Sequence, residues 1–134
     1  MKIISVTGFL LFALLLLSCI TTGPVEIPED LSTAELIQRG QEASDRNRYA
    51  HSLQYYETLI ERFPYDIDNV IAAEYEIAFI HYKQKKYDIA KIEFNDLLER
   101  YNIPDELLLP QQFKILSQKV MARITEIENQ RKKK

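Results

Sequence analysis

The sequence predicts an all-α fold: two helix pairs stacked side by side, closed by one capping helix. Three observations carry this. A fifteen-residue pattern that begins at Tyr49 returns thirty-eight residues later, at Tyr87. Pro64, Pro104 and Pro110 fall between the apolar-periodic stretches, whereas inside a helix each would remove a backbone donor and clash with the preceding turn. The last stretch sets Phe113, Leu116, Val120, Ile124 and Ile127 at spacings of three and four, which draws one apolar stripe along a helix. No stretch alternates apolar and polar residues as a half-buried strand does.

Taken from the start, Met1-Lys2 precedes an apolar run from Ile3 to Leu17. That is the length of a secretory h-region and short for a membrane span. The run ends in Leu16-Leu17-Ser18-Cys19, which resembles the bacterial lipobox. The resemblance implies a signal peptide over residues 1–18, cleavage before Cys19, a diacylglyceryl group on its thiol and an acyl chain on the new amine. Cys19 is also the only cysteine, and a lone thiol in an exported chain closes no internal disulfide. Residues 19–31 hold Gly23, Pro24 and Pro28 with Glu26, Glu29 and Asp30. They read as a tether between lipid and domain, whose acids discourage contact with an anionic surface.

The domain spans residues 32–130. Ser32 caps its first helix, Glu35 completes a capping box, and Leu31 with Leu36 forms a hydrophobic staple. Helices are expected over residues 33–47, 49–63, 69–84, 87–101 and 111–130. The tail Arg131-Lys132-Lys133-Lys134 complements the dipole of the last helix; the alternative is contact with an acidic partner or lipid headgroups.

Within the repeat, Tyr49/Tyr87, Leu59/Leu97, Glu61/Glu99 and Arg62/Arg100 are identical, and Ser52/Ala90, Tyr56/Phe94, Ile60/Leu98 and Phe63/Tyr101 are conservative. Gly40 and Ser52 with Tyr56, and then Ala78 and Ala90 with Phe94, offer small residues where two helices approach and a ring to fill the space between them. These residues resemble the tetratricopeptide repeat (TPR). The resemblance implies a right-handed stack of two TPR-like pairs, with the C-terminal helix as cap. Leu36 and Ala43 depart from the pattern, and the repeat is four residues longer than usual, an excess placed at Tyr65-Asp66-Ile67-Asp68. It further implies a concave groove lined by Ala34, Ile37, Gln38, Gln41, Ser44 and Asp45 from one pair, and by Ala72, Tyr75, Glu76, Phe79, Tyr82 and Lys83 from the next.

No catalytic constellation is visible. The three glycines form no phosphate-cradling loop, there is no His-Glu-x-x-His or Cys/His ligand set, and His51 and His81 stand alone. No enzyme activity, cofactor or metal is expected, and a net charge of −3 argues against nucleic acid as a partner. Tyr75, Phe79 and Tyr82 at i, i+4 and i+7, with Phe113 facing them, have two readings: anchors of a protein-binding groove, or rings packed in the core.

The lipobox, the acidic tether and the ending Glu61-Arg62-Phe63-Pro64 together resemble the BamD-like lipoproteins. That resemblance implies a scaffold in the assembly of outer-membrane β-barrel proteins, although two repeats stand here in place of that family's five or so. The expectation is a lipid-anchored envelope protein that binds protein partners. Ile20, where some bacteria read Asp as an inner-membrane signal, points to the periplasmic face of the outer membrane in a two-membrane cell, and otherwise to the plasma membrane. Two alternatives stand beside it: an adaptor for a cell-wall or transport machine, and an enzyme or small-ligand binder.

Overall fold

The computed structural model describes residues 23–102 and 109–133, and among these there are five α-helices and no strand. They are α1 (Thr33–Asp45), α2 (Tyr49–Arg62), α3 (Ile67–Lys83), α4 (Tyr87–Glu99) and α5 (Gln111–Lys132), with a 3-10 turn at Arg100–Asn102 after α4. The stretch 1–18, Cys19, Pro104 and Lys134 lie outside the described residues. α3 starts at Ile67, two residues ahead of the expected start, so Ile67 and Asp68 are helical.

Ser32 opens α1 with both halves of the capping box. Its hydroxyl accepts from the Glu35 amide at 3.3 Å, and its own amide donates to the Glu35 carboxylate at 2.9 Å. The Ser32 hydroxyl, which donates to the same carboxylate, is the main reason that Glu35 titrates below its ordinary value. Leu31 and Leu36 enter one buried cluster on either side of the cap.

α1 and α3 end in the same way. Asn47 adopts φ 56°, the Arg48 amide donates to the Ala43 carbonyl at 2.8 Å, and the Asn47 amide donates to Ser44 at 2.9 Å. Thirty-eight residues on, Lys85 adopts φ 62°, Lys86 donates to His81 at 3.0 Å and Lys85 donates to Tyr82 at 2.9 Å. This is the Schellman arrangement, which satisfies the last carbonyls of a helix through one left-handed residue. Glycine is the usual occupant; here Asn47 and Lys85 hold the position instead, so the sequence carried no glycine to announce either turn.

The turns are short, so successive helices run antiparallel. Polar contacts agree: Lys91, at the start of α4, donates to Glu128 near the end of α5 at 2.6 Å, and the Tyr101 hydroxyl donates to the Pro110 carbonyl at 2.8 Å. α1, α3 and α5 therefore run one way, α2 and α4 the other.

Two cores share α3. Val70, Ala73 and Ile80 face Leu36, Tyr56 and Leu59, while Ile71, Tyr75 and Ala78 face Ala90, Phe94, Leu97, Tyr101 and Ile124. The first pair closes where Gly40 meets Tyr56. A methyl group on Gly40 would stand 2.8–3.0 Å from three atoms of that ring, and the buried Ser52 hydroxyl donates to the Gly40 carbonyl at 2.7 Å. In the second pair Ala78, Ala90 and Phe94 are fully buried at the matching positions. On α5 the face turned inward carries Phe113, Ser117, Val120 and Ile124; Leu116, expected in the apolar stripe, is 39% exposed and Ser117 is buried in its stead.

Gly23 to Leu31 forms no helix, yet it lies along α2. His51 Nε2 donates to the Gly23 carbonyl at 3.1 Å, the Val25 amide donates to Gln54 at 2.9 Å, and the Arg62 guanidinium donates to the Pro28 and Ile27 carbonyls at 2.6 and 3.1 Å. The described part of the expected tether is thus strapped to the domain.

Two substitutions test this packing. Gly40→Ala forces a methyl against a fully buried ring and should cost about 1–3 kcal/mol in chemical denaturation. Lys85→Gly relieves a left-handed residue and should instead stabilise by about 0.5–1 kcal/mol.

Candidate functional site

A cleft of about 320 Å³ opens between the C-terminal halves of α1 and α3. Its walls are Gln41, Ser44 and Asp45 from α1, and Glu76, Phe79 and Lys83 from α3. On α3 these three recur at i, i+3 and i+7, so helical geometry alone puts them on one face.

Lys83 organises the cleft. Its ammonium donates to the Ser44 hydroxyl and lies 5.2 Å from the centre of the Phe79 ring and 5.4 Å from that of Tyr49. Burial pushes the Glu76 carboxyl above the ordinary carboxylate range; the charge of Lys83 works against this and that of Asp45 adds to it. Beneath them the Tyr56 hydroxyl is buried without a hydrogen-bond partner among the described residues. Its pKa is raised first by burial and then by Glu76 and Asp45.

The lining therefore holds two carboxylates, one ammonium already engaged by Ser44 and two rings, and an aromatic wall. That chemistry suits a cationic, hydrogen-bonding side chain from a partner: it would find carboxylates to pair with and a ring face to lie against. Among the described residues no group of three or more His, Cys, Asp or Glu is placed to hold a metal.

The four-ring groove expected from the sequence is revised by this geometry. Tyr75 is only 7% exposed, with ring centres 5.8 Å from Phe94 and 5.4 Å from Phe113, so α4 and α5 bury it as core. Burial, helped by Glu76, pushes its hydroxyl up to about 12. Phe113 is half-buried against the same core, and Tyr82 leans on Phe79 and on Tyr87 at the start of α4. Only Phe79 of the four lines the cleft. A stripe at helical spacing covers more than one face of a helix that is packed on both sides, and α3 is such a helix. The polar members Asp45, Glu76 and Lys83 carry the site, and their signal in the sequence was their place among the groove positions.

Gly40, Ser52 and Tyr56, with Ala78, Ala90 and Phe94, sit at the two close approaches described above. His81 donates to Glu93 at 2.7 Å across the α3–α4 seam, whereas His51 donates from α2 to the strap, so the two histidines serve separate contacts.

Comparison with known proteins yields one relative of note. A stretch of 102 residues, 75% of this chain, is 34% identical to an uncharacterized protein of Treponema pallidum (strain Nichols). The chain spans 41% of that protein's length. No family model matches the chain, and no solved structure matches it. Among the described residues no helix is long and apolar enough to cross a membrane.

The two rings at the head of the stripe should separate on truncation. Tyr75→Ala opens the core and should cost about 3–5 kcal/mol, whereas the half-buried Phe79→Ala should cost about 1–2 kcal/mol. Glu76 has a sign of its own. A carboxyl whose pKa is raised on folding holds its proton more tightly in the folded state, so its contribution to stability falls as pH rises through that folded value. Glu76→Gln should therefore raise the Tm at pH 7, and the gain should vanish below the ordinary carboxylate range.

Proposed function

We propose that this chain is a lipid-anchored adaptor of the bacterial cell envelope, and that it holds a protein partner in the cleft between α1 and α3. One observation carries the binding part. All six residues that line the cleft occupy positions that the TPR resemblance assigns to its concave groove. Two features favour a TPR-like stack: the matched Schellman turns at Asn47 and Lys85, and the small residues that meet rings at Gly40–Tyr56 and again at Ala78, Ala90 and Phe94. α5 packs on both α3 and α4, which supports reading it as the cap of that stack.

The partner in this reading is a polypeptide segment that presents Lys or Arg. Asp45 and Glu76 face it, while Ser44 and the rings of Phe79 and Tyr49 hold Lys83. The anchor is the lipid on Cys19, supported by Leu16-Leu17-Ser18-Cys19 after its apolar run. With Ile20 next, the outer membrane is the proposed address in a two-membrane cell, and a scaffold role beside β-barrel assembly, as in the BamD-like lipoproteins, is the proposed setting.

The two parts are tested together. Cells fed a labelled fatty acid should label the wild-type chain and not Cys19→Ala, and label on both or neither would refute the anchor. Capture from solubilised membranes should recover a partner with the wild-type chain and lose it about tenfold with Asp45→Lys, which alters an exposed side chain, or with Phe79→Ala. Equal recovery by folded variants would refute the cleft.

A further inference from the structure

The two ends of the helix stack differ in charge. At one end lie the α1–α2 turn, the α3–α4 turn and the C-terminus of α5. Arg131 stands 5.1 Å from the ring of Tyr87, at the first residue of α4, which places the end of α5 level with the α3–α4 turn. This end presents Arg46, Arg48, Lys85, Lys86, Lys132 and Lys133, all exposed, against the exposed acids Glu42, Asp45 and Asp88, of which Glu42 lies 3.8 Å from Arg46. At the other end, the entry to α1 and the α2–α3 turn expose Glu29, Asp30, Glu35, Glu61 and Asp68. Opposite charges have been sorted to opposite ends of the same bundle.

The strap adds a direction. It begins beside His51 in the first turn of α2 and reaches Arg62 at the last, so it crosses the length of that helix. Gly23 is thereby fixed at the basic end, and the acids Glu29 and Asp30 are carried to the far one. Cys19 precedes Gly23 by four residues, a reach of at most about 14 Å. Next to the start of the strap there is also a cleft of about 390 Å³, into which Arg39, Arg46, Arg48 and His51 project together with Glu42 and Tyr55.

We propose that the basic end is a membrane-facing surface that rests on anionic lipid headgroups, with the arginine-lined cleft beside the strap receiving a headgroup phosphate. The proposal rests on the lipid at Cys19 to deliver the domain to a bilayer, and it deepens that reading by fixing which face the bilayer meets. The observations select a lipid surface over an acidic protein because the cations are spread across two turns and a helix end at one level, as a plane requires, and because Gly23, only four residues after Cys19, lies at that same level. Each cation near an anionic leaflet adds to the attraction, and salt screens it.

The test is the rate at which lysines are acylated by a water-soluble reagent, read residue by residue in a mass spectrometer, with the full processed protein purified from its membranes. It is incorporated into vesicles of phosphatidylcholine alone or with about one-third phosphatidylglycerol. On the anionic vesicles Lys85, Lys86, Lys132 and Lys133 should slow at least about threefold, and about 0.5 M NaCl should restore them. Lys119, exposed on the middle of α5, should not change. The triple variant Arg48→Glu, Lys85→Glu, Lys86→Glu alters exposed side chains only and should abolish the difference.

Equal acylation on both vesicles, or slowing that includes Lys119 to the same extent, overturns the proposal. So does protection that an acidic protein confers and anionic vesicles do not. Protein that fails to stay on phosphatidylcholine yet binds the anionic vesicles through the basic end would refute the anchor at Cys19 while upholding this surface.

Discussion

The contact between Gly40 and the ring of Tyr56 sets the distance between α1 and α2, and much of the remaining geometry follows from it. With no side chain on Gly40, the helices approach until the ring lies against backbone, and Ser52 locks the approach by donating to the Gly40 carbonyl. That seats Leu36 and Leu59 in one buried cluster with Val70, Ala73 and Ile80 of α3. α3 is buried on a second side by α4 and α5, so it cannot shift to follow a change in α1 without disturbing the other core. The spacing of α1 from α3, and with it the width of the cleft, is fixed from both sides.

Much of this order is written in the residues, though not all of it equally. Helix starts were legible because capping chemistry is local: Ser32 and Glu35 suffice to place the first. The period of thirty-eight was legible because equivalent contacts need equivalent side chains. The helix ends were less so. A left-handed residue at a Schellman turn is announced by glycine, and Asn47 and Lys85 take that conformation because the following turn demands it. The strap was read as free tether for a similar reason, since prolines and acids exclude a helix but say nothing of the carbonyls that Arg62 and His51 would capture from thirty residues away.

The aromatic stripe on α3 shows where periodicity stops being informative. Tyr75, Phe79 and Tyr82 share a spacing, but a helix packed on two sides spends such a stripe on more than one neighbour. Tyr75 went to α4 and α5, Tyr82 to the start of α4, and Phe79 to the cleft. What distinguishes the cleft is the polar company that Phe79 keeps. Lys83 lies over its ring, and burial holds the Glu76 carboxyl above the ordinary carboxylate range.

The cleft proposed to hold a partner makes one claim open to direct measurement in cells. A photo-crosslinking amino acid in place of Gln41, exposed at the rim of the cleft, should on illumination yield one discrete adduct with another protein. The same substitution for Asn95, exposed on α4 beside α5 and away from this cleft, should yield none. Absence of an adduct at Gln41, or equal adducts from both positions, would contradict a binding role for the cleft.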